Sequence, residues 1–389
     1  SLPIIRVTST GDTIHPDGEV TLREAITAVN TNARSGDAPA GLANQRMTIT
    51  LDTIPELAFG SATIVLQSPL PTINADVELV ANPSRPVVVS GNQQHRVFAV
   101  SGGFVEFFGF EISDGYHTTA AIDATLEGQS GGGGGAGMGG GLYVNAPGGS
   151  VSVDTMVFRN NVAEGGRGGN ADPVEVNSTG PEVPGQVGAG PNGGAGGTSN
   201  SPGGQSGGFA SGGGGGYQEA NGGAGGRFGG GGGGGRANNG FDGGSGGSGG
   251  LFGGPGHSTF SGGAGGGGGG AGIGGAIAVV QNGAVAIRNS AFIGNSSRGG
   301  QSGQDSFGST YSSSRGEGKG GAIFLYGNIA TVGIYSELNA EGEPIGSMLV
   351  NRTSYVNAGN TFTNNSATDA VVPSDESDNN DTFGLLFAF

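Results

Sequence analysis

Residues 274–295 read GGAIAVVQNGAVAIRNSAFIGN, and the same order of residue types occurs at 139–161 as GGGLYVNAPGGSVSVDTMVFRNN. In both copies a glycine pair precedes an aliphatic run, a second apolar run follows, and a phenylalanine stands three residues before an asparagine. The first aliphatic residue and the phenylalanine are 16 residues apart in the earlier copy and 15 in the later one. A third copy begins at Gly320 and, after an insertion, ends at Asn365. Such repetition is typical of folds in which each unit buries its apolar residues against the next.

Short apolar runs bounded by Gly, Asn, Asp or Pro fill residues 47–112 as well. They are rich in β-branched residues and no helical pattern separates them, so strands are expected and βαβ units are not. A sandwich and a β-solenoid both fit such runs. The repeats favour the solenoid, and we predict an all-β parallel β-helix whose coils stack about 4.8 Å apart. Each coil is expected to bury a phenylalanine and to stack an asparagine on its neighbours, at Phe158, Asn161, Phe292, Asn295, Phe362 and Asn365.

One helix is predicted, near residues 21–30. Thr21 and Glu24 have the spacing of a capping box, in which each side chain accepts a hydrogen bond from the backbone of the other. Leu22, Ile26 and Val29 then fall on one face at helical spacing. The helix precedes the repeated strands, so we expect it to cap the N-terminal end of the β-helix.

Glycine accounts for 45 of the 85 residues from 191 to 275. A flexible linker is one interpretation. The other is an ordered bundle of glycine segments in polyproline II conformation, which exchange backbone hydrogen bonds because no side chains separate them. Large apolar residues within the tract favour the bundle, and we expect them to pin it to the β-helix: Phe209, Tyr217, Phe228, Phe241, Leu251, Phe252 and Phe260. The predicted organisation is N-terminal coils (1–161), one glycine-rich insertion (162–273) and C-terminal coils (274–389).

The segment Val20-Thr21-Leu22-Arg23-Glu24-Ala25-Ile26 resembles the "CSLREAI" motif of bacterial surface proteins, with Val20 in place of the cysteine. The Gly-Gly-Ala-Ile and Phe-x-x-Asn pairs are similar to repeats of polymorphic outer-membrane proteins and related autotransporter passengers. This resemblance implies a right-handed parallel β-helix, an extracellular or cell-surface location and a structural or binding role. It implies no catalytic residues.

Composition restricts the partners. The net charge is −16 and no basic stripe is present, which argues against nucleic acid. The absence of cysteine excludes disulfides and thiolate-bound metals. No apolar run approaches 18 residues, so no transmembrane helix is expected. The chain begins at Ser1, which we interpret as removal of a secretory signal peptide from a secreted or cell-surface protein.

Both ends of the chain are apolar, and exposed apolar strands are interaction sites. We therefore predict a homopolymer joined through its terminal strands; the alternative is that these strands fold back along their own sheet. The residues concerned are Ile4, Ile5, Val7, Phe383, Leu385, Leu386, Phe387 and Phe389. The predicted function is a non-enzymatic structural subunit of a self-assembling fibre, sheath or matrix. The alternatives are a monomeric cell-surface adhesin that binds a surface or glycan ligand, and a polysaccharide-active enzyme.

Candidate chemistry is sparse. An enzyme would need clustered carboxylates, for which Glu106, Glu111 and Asp114 are candidates, although scattered surface charges are the simpler interpretation. The four histidines show no ligand spacing, and we interpret His117 as a surface-loop residue. No cofactor is expected, apart from a candidate Ca²⁺ site in an acidic segment that also fits a solvated linker. The candidate Ca²⁺ ligands are Asp375, Asp378 and Asp381.

Overall fold

The fold is all-β and its sheets are parallel. The computed structural model describes residues 3–172, 183–236, 243–259, 263–280, 283–310, 314–326, 355–356, 359–368 and 380–383. Within these ranges there is one α-helix, α1 (Leu22–Thr31), and a short 3-10 helix, Pro55–Phe59. All the strands are short, from two to five residues.

The strands in chain order are β1 (Ile4–Arg6), β2 (Met47–Thr50), β3 (Ala62–Val65), β4 (Val77–Val80), β5 (Val87–Ser90), β6 (Phe98–Val100), β7 (Phe104–Phe108), β8 (Glu111–Ser113), β9 (Tyr116–His117), β10 (Gly137–Met138), β11 (Leu142–Val144), β12 (Ser150–Asp154), β13 (Val157–Arg159), β14 (Val162–Glu164), β15 (Gly272–Ile273), β16 (Ile277–Val279), β17 (Val285–Arg288), β18 (Ala291–Ile293), β19 (Ser296–Arg298), β20 (Gly318–Lys319), β21 (Ile323–Leu325), β22 (Tyr355–Val356), β23 (Thr361–Thr363), β24 (Ser366–Thr368) and β25 (Thr382–Phe383).

These strands form five sheets, and the chain visits the sheets in a fixed order. Sheet 1 is β1-β2-β4-β7-β12-β17-β22, sheet 2 is β3-β5-β8-β13-β18-β23, sheet 3 is β9-β14-β19-β24, sheet 4 is β10-β15-β20 and sheet 5 is β6-β11-β16-β21-β25. One layer is a passage through all five sheets, such as β12 to β16, and the next layer, β17 to β21, pairs with it strand by strand. The repeats seen in the sequence are therefore neighbours in space.

The register places equivalent repeat residues directly against each other. Phe158 pairs with Phe292, which in turn pairs with Phe362. Adjacent rings in this column are parallel, with centroids 5.1 Å apart, and the first two phenylalanines are fully buried. Burying a phenylalanine side chain contributes about 1.5–3 kcal/mol, so the column is a major part of the core.

A column of asparagines runs beside the phenylalanines. The Nδ2 of Asn161 donates to Oδ1 of Asn295 at 3.0 Å, and the Nδ2 of Asn295 donates to Oδ1 of Asn365 at 3.0 Å. Asn365 donates in turn to a carboxylate oxygen of Asp381, also at 3.0 Å. Each asparagine follows a strand of sheet 2, where the chain turns toward sheet 3. The column therefore satisfies buried polar groups at this corner in three successive layers.

Helix α1 covers the core near β1 and β2. The side-chain oxygen of Thr21 accepts from the backbone N–H of Glu24 at 3.2 Å, and Glu24 Oε2 accepts from the N–H of Thr21 at 3.1 Å. Leu22, Ile26 and Val29 are buried against the core. The capping box thus starts the helix at the position that the sequence predicts.

Long connections leave every complete layer at the same corner, between sheet 3 and sheet 4. They comprise residues 118–136, 165–271 and 299–317 in three successive layers. The longest connection lies within the predicted insertion at 162–273, of which residues 162–164 and 272–273 are in strands. These strands are β14 and β15, and glycine segments from both adjacent layers join the same structure.

Candidate functional site

The glycine-rich connections form one hydrogen-bonded array of extended segments, which we name the glycine bundle. Its backbone hydrogen bonds arrange the segments in four rows. From one face to the other, the rows are 203–208, 222–226 and 243–250; then 193–197, 212–216, 229–235 and 253–259; then 185–189, 131–135, 264–270 and 314–317; then 119–124, 165–171 and 299–305.

Within a segment, the direction of hydrogen bonding repeats every three residues. In segment 212–216, Gly212 and Gly215 donate to segment 185–189, Gly213 and Gly216 donate to 229–235, and Gly214 donates to 203–208. This repeat matches the three residues per turn of a polyproline II helix, which points successive N–H groups in three directions. Neighbouring segments thus supply the backbone partners that such a helix cannot provide for itself.

The four interior segments are the four runs of five or more glycines in the chain. Segments 131–135, 212–216, 229–235 and 265–270 each exchange backbone hydrogen bonds with six neighbours. A Cβ atom on these glycines would lie less than 3.0 Å from a neighbouring atom, in nearly every case backbone, a separation that real Cβ atoms do not show. Only glycine permits this packing, and so the runs are pure.

Peripheral segments replace glycine wherever a side chain can point outward. Segment 243–250 has the sequence GGSGGSGG, and Ser245 and Ser248 are exposed while Gly244 and Gly247 are buried. On the opposite face, Gln301 and Gln304 are exposed with the same spacing of three residues. The bundle therefore has a core without side chains and two faces decorated at regular intervals.

Aromatic residues at the turns of the bundle dock it on sheet 5. Phe228 is fully buried, and its ring centroid lies 5.7 Å from that of Phe324 on β21. Phe252 contacts Phe383 of β25 with a centroid distance of 5.3 Å, and Phe209 packs on Phe228 at 5.9 Å. These three tract residues make the contacts expected of them.

The other apolar residues of the tract lie elsewhere. Tyr217 is buried at a turn, where segment 212–216 leads to 222–226, and Leu251 is 41% exposed. Phe241 and Phe260 lie outside the described residues.

A buried histidine makes the bundle sensitive to acid. Burial lowers the pKa of His257 below its ordinary value, while Asp305 acts in the opposite direction. A histidine in the unfolded chain has a pKa of about 6.5, so below that pH the unfolded chain binds more protons than the folded one. The free energy of unfolding contributed by His257 is therefore complete above this pH and is lost as the pH falls toward the folded-state pKa.

We expect the thermal midpoint to be lower at about pH 5.5 than at about pH 7.5. The difference between the two pH values should be smaller in His257→Gln than in the wild type. His15→Gln is the matched control, because His15 is exposed. Calorimetric scans at the two pH values measure the difference. If the thermal midpoint falls equally in the wild type and in His257→Gln, His257 is not the cause of the acid sensitivity.

The terminal strands pair within the chain wherever the structure describes them. Ile5 and Val7 are buried, Ile4 is 41% exposed, and β1 pairs with β2. At the other end, β25 pairs with β21 of sheet 5, and the ring of Phe383 stacks on that of Phe324. The described parts of both terminal strands therefore belong to sheets of their own chain. Four predicted assembly residues lie outside the described residues: Leu385, Leu386, Phe387 and Phe389.

The candidate carboxylates do not converge. Glu106 lies on sheet 1 against Arg46 at 2.8 Å, whereas Glu111 lies on sheet 2 against Arg159 at 3.0 Å. Asp114 follows β8 in a left-handed backbone conformation, with φ of 50°. Each of the two glutamates thus belongs to its own ion pair.

The candidate calcium ligands are only partly within the described ranges. Asp381 accepts the last hydrogen bond of the asparagine column, while Asp375 and Asp378 lie outside the described residues. Among the residues that the structure describes, no group of three or more His, Asp or Glu side chains could hold a metal ion.

No family model, curated protein or solved structure matches this chain. Over the described ranges, none of its helices has both the length and the apolar character required to cross a membrane.

The sequence contains one signal that the glycine run at 131–135 belongs to the bundle. Residues 131–138 read GGGGGAGM and residues 266–273 read GGGGGAGI, and β10 pairs with β15 at the end of these stretches. The earlier glycine run is thus the counterpart of the later one, one layer away. His117 was also misinterpreted as a loop residue: it lies in β9, and burial lowers its pKa well below the ordinary value.

Proposed function

We propose that the protein is a non-enzymatic extracellular or cell-surface structural protein, in which a right-handed parallel β-helix carries the glycine bundle as a rigid display platform. The observation that carries this proposal is the set of interior glycine segments with six hydrogen-bonded neighbours each. Such a core holds extended backbone stiffly over several rows and leaves side chains only on its faces and turns.

The β-helix is supported by the order in which the chain visits its sheets. Sheets 1 to 5 recur in the same sequence in successive layers, and each strand pairs in parallel with its counterpart one layer away. Columns of identical residues, such as Phe158 with Phe292, are expected of a stacked solenoid. The resemblance to CSLREAI-type surface proteins points to the same architecture and to a location outside the cell.

Display on a single rod, as in an adhesin, is supported better than a fibre built by strand exchange. The described part of the C-terminal strand, β25, is already paired with β21. Helix α1 buries Leu22, Ile26 and Val29 against the core near β1 and β2. The bundle, in contrast, presents faces and turns that take no part in the core of the layers.

A fibre is the second candidate, on one observation. Among the described residues, β1 is an edge strand of sheet 1, and its Ile4 side chain is exposed. The unpaired edge of β1 could accept a strand from another copy of the chain.

An enzyme is supported least, because the candidate carboxylates lie on different sheets and Glu106 and Glu111 are each neutralised by an arginine. Acid–base hydrolysis of a glycoside needs two carboxyl groups facing the same bond.

Amide hydrogen exchange and electron microscopy of the purified chain test the proposal together. We expect slow exchange across the interior segments 212–216, 229–235 and 265–270, because the N–H groups of 212–216, 229–235, 265 and 267–270 donate to backbone carbonyls within the bundle. We also expect single rods rather than filaments. Fast exchange in these segments would remove the rigid platform, and regular filaments would overturn display in favour of the fibre.

A further inference from the structure

A pocket lies beside the end of the glycine bundle, where two sheets begin. Strands β6 and β9 are the first strands of sheets 5 and 3, and among the described residues only a bridge between Ile73 and Val100 lies beneath them. The space that remains is a cavity of about 280 Å³, closed on one side by the connection at residues 69–72. Arg96 and His117 both line it.

Arg96 is held in one orientation and its charge is not neutralised. Its Nη2 donates to the carbonyl of Met138 at 2.7 Å, and its Nε donates to the carbonyl of Gly139 at 3.1 Å. The guanidinium lies 4.7 Å from the centroid of the Tyr143 ring. Across the described part of the chain, no carboxylate forms an ion pair with Arg96, and its Nη1 has no protein partner.

Burial of the Arg96 guanidinium disfavours its charged form. Burial lowers the pKa of Arg96 to about 10, so the guanidinium is still charged at neutral pH. A partly buried cation without an anionic partner is unusual, because removal of a charge from water is unfavourable unless an opposite charge compensates it.

His117 adds a second hydrogen-bond donor. Its Nδ1 accepts from the backbone N–H of Met138 at 3.1 Å, which places the proton of the neutral ring on Nε2. Burial and the charge of Arg96 lower the pKa of His117 well below its ordinary value, so the ring is neutral at pH 7. Its Nε2–H has no hydrogen-bond partner within the described ranges. A fixed cation and a neutral donor therefore line the same cavity.

We propose that this pocket binds the carboxylate of an acidic monosaccharide, with Arg96 and His117 as its donors. The cavity is at the lower limit of ligand pockets, which span about 300–1,000 Å³, so it fits one sugar ring rather than a chain. Its wall combines polar groups for sugar hydroxyls, at Thr72, Gln94 and Thr118, with the apolar surface of Leu70. Binding at this site goes beyond the display function proposed for the glycine bundle and does not rest on it.

Calorimetric titration of the full chain with sodium glucuronate tests the site, with glucose and sodium acetate as comparison ligands. We expect glucuronate to bind, and to bind about 10-fold or more weakly to Arg96→Gln, since hydrogen bonds to charged groups are the strong ones. Arg85→Gln is the matched control, because Arg85 is exposed on a different turn. Its affinity should equal that of the wild type.

A second variant separates binding from folding. Arg96→Gln also removes hydrogen bonds to Met138 and Gly139, whereas Thr72→Trp leaves them in place and fills the mouth of the cavity from an exposed position. We expect Thr72→Trp to lose glucuronate binding. Unchanged binding in Thr72→Trp, glucose bound as tightly as glucuronate, or no glucuronate binding by the wild type would each overturn the proposal. Acetate bound as tightly as glucuronate would overturn the assignment to a sugar.

Discussion

Gly232→Ala is expected to unfold the glycine bundle while a nearby Gly→Ala exchange leaves it intact. Gly232 lies in the interior segment 229–235, donates to the carbonyl of Gly223 and accepts from the N–H of Gly247. A Cβ atom at this position would collide with the carbonyl oxygen of Gly214. The collision is with backbone, so no rotamer change relieves it. We expect a loss of about 3 kcal/mol or more in the free energy of unfolding of the bundle.

Gly203→Ala is the matched control, since the nearest atom to a Cβ there is the Asn221 carbonyl oxygen, at 3.9 Å. Because alanine restricts the unfolded chain, this exchange should be neutral or stabilising by about 0.4–1 kcal/mol. Hydrogen exchange measured by mass spectrometry over residues 203–272 reports both variants. Equal protection in Gly232→Ala and wild type would show that the interior segments are not packed as described.

The layers could be predicted from the sequence because side chains carry their signal. A phenylalanine and an asparagine three residues apart recur in each copy. For the layers to stack, each copy must also have its apolar runs and its turn residues in the same order. The capping box at Thr21 and Glu24 is local, and so its position could also be predicted. Phe158 pairs with Phe292 although a connection of more than a hundred residues separates their strands. The spacing of residues within each copy was therefore enough to predict this pairing.

The extent of the bundle could not be predicted in the same way. Glycine has no side chain, so a buried glycine run and an exposed linker have the same composition. What distinguishes them is position: runs without interruption lie inside, and runs with a residue such as Ser245 or Ser248 at every third position lie on a face. That rule depends on the neighbours of each segment, which come from three different layers.

The pocket was also beyond sequence reasoning. Arg96 precedes β6 of sheet 5, His117 lies 21 residues later in β9 of sheet 3, and neither stands in a recognisable motif. They meet because sheets 3 and 5 both begin at this level of the stack. Such a gap is a property of the topology, and no local pattern indicates it.

Asn295→Ala should destabilise the stacked layers about as strongly as the glycine exchange destabilises the bundle. Asn295 is fully buried in the middle of the asparagine column. Its Oδ1 accepts from both the backbone N–H and the Nδ2 of Asn161, and its Nδ2 donates to the carbonyl of Phe158 and to Asn365. Alanine would remove these bonds from the N–H of Asn161 and the carbonyl of Phe158, whereas Asn161 Nδ2 still donates to Ile112 and Asn365 Oδ1 still accepts from the N–H of residue 295. Each buried group left without its partner costs about 1–3 kcal/mol, so we expect a loss of about 3–5 kcal/mol.

Asn200→Ala is the matched control, because Asn200 is exposed at a turn of the bundle. Chemical denaturation followed by circular dichroism measures both variants. A denaturation midpoint for Asn295→Ala close to that of Asn200→Ala would show that the column contributes little to stability.

Asn295→Asp refines the test: its carboxylate still accepts from Asn161 but can no longer donate to Phe158 and Asn365. If the column holds the layers through bonds in both directions, this variant should be destabilised although its shape is unchanged. Hydrogen exchange should then rise in β13 and β23, the strands on either side of the substitution.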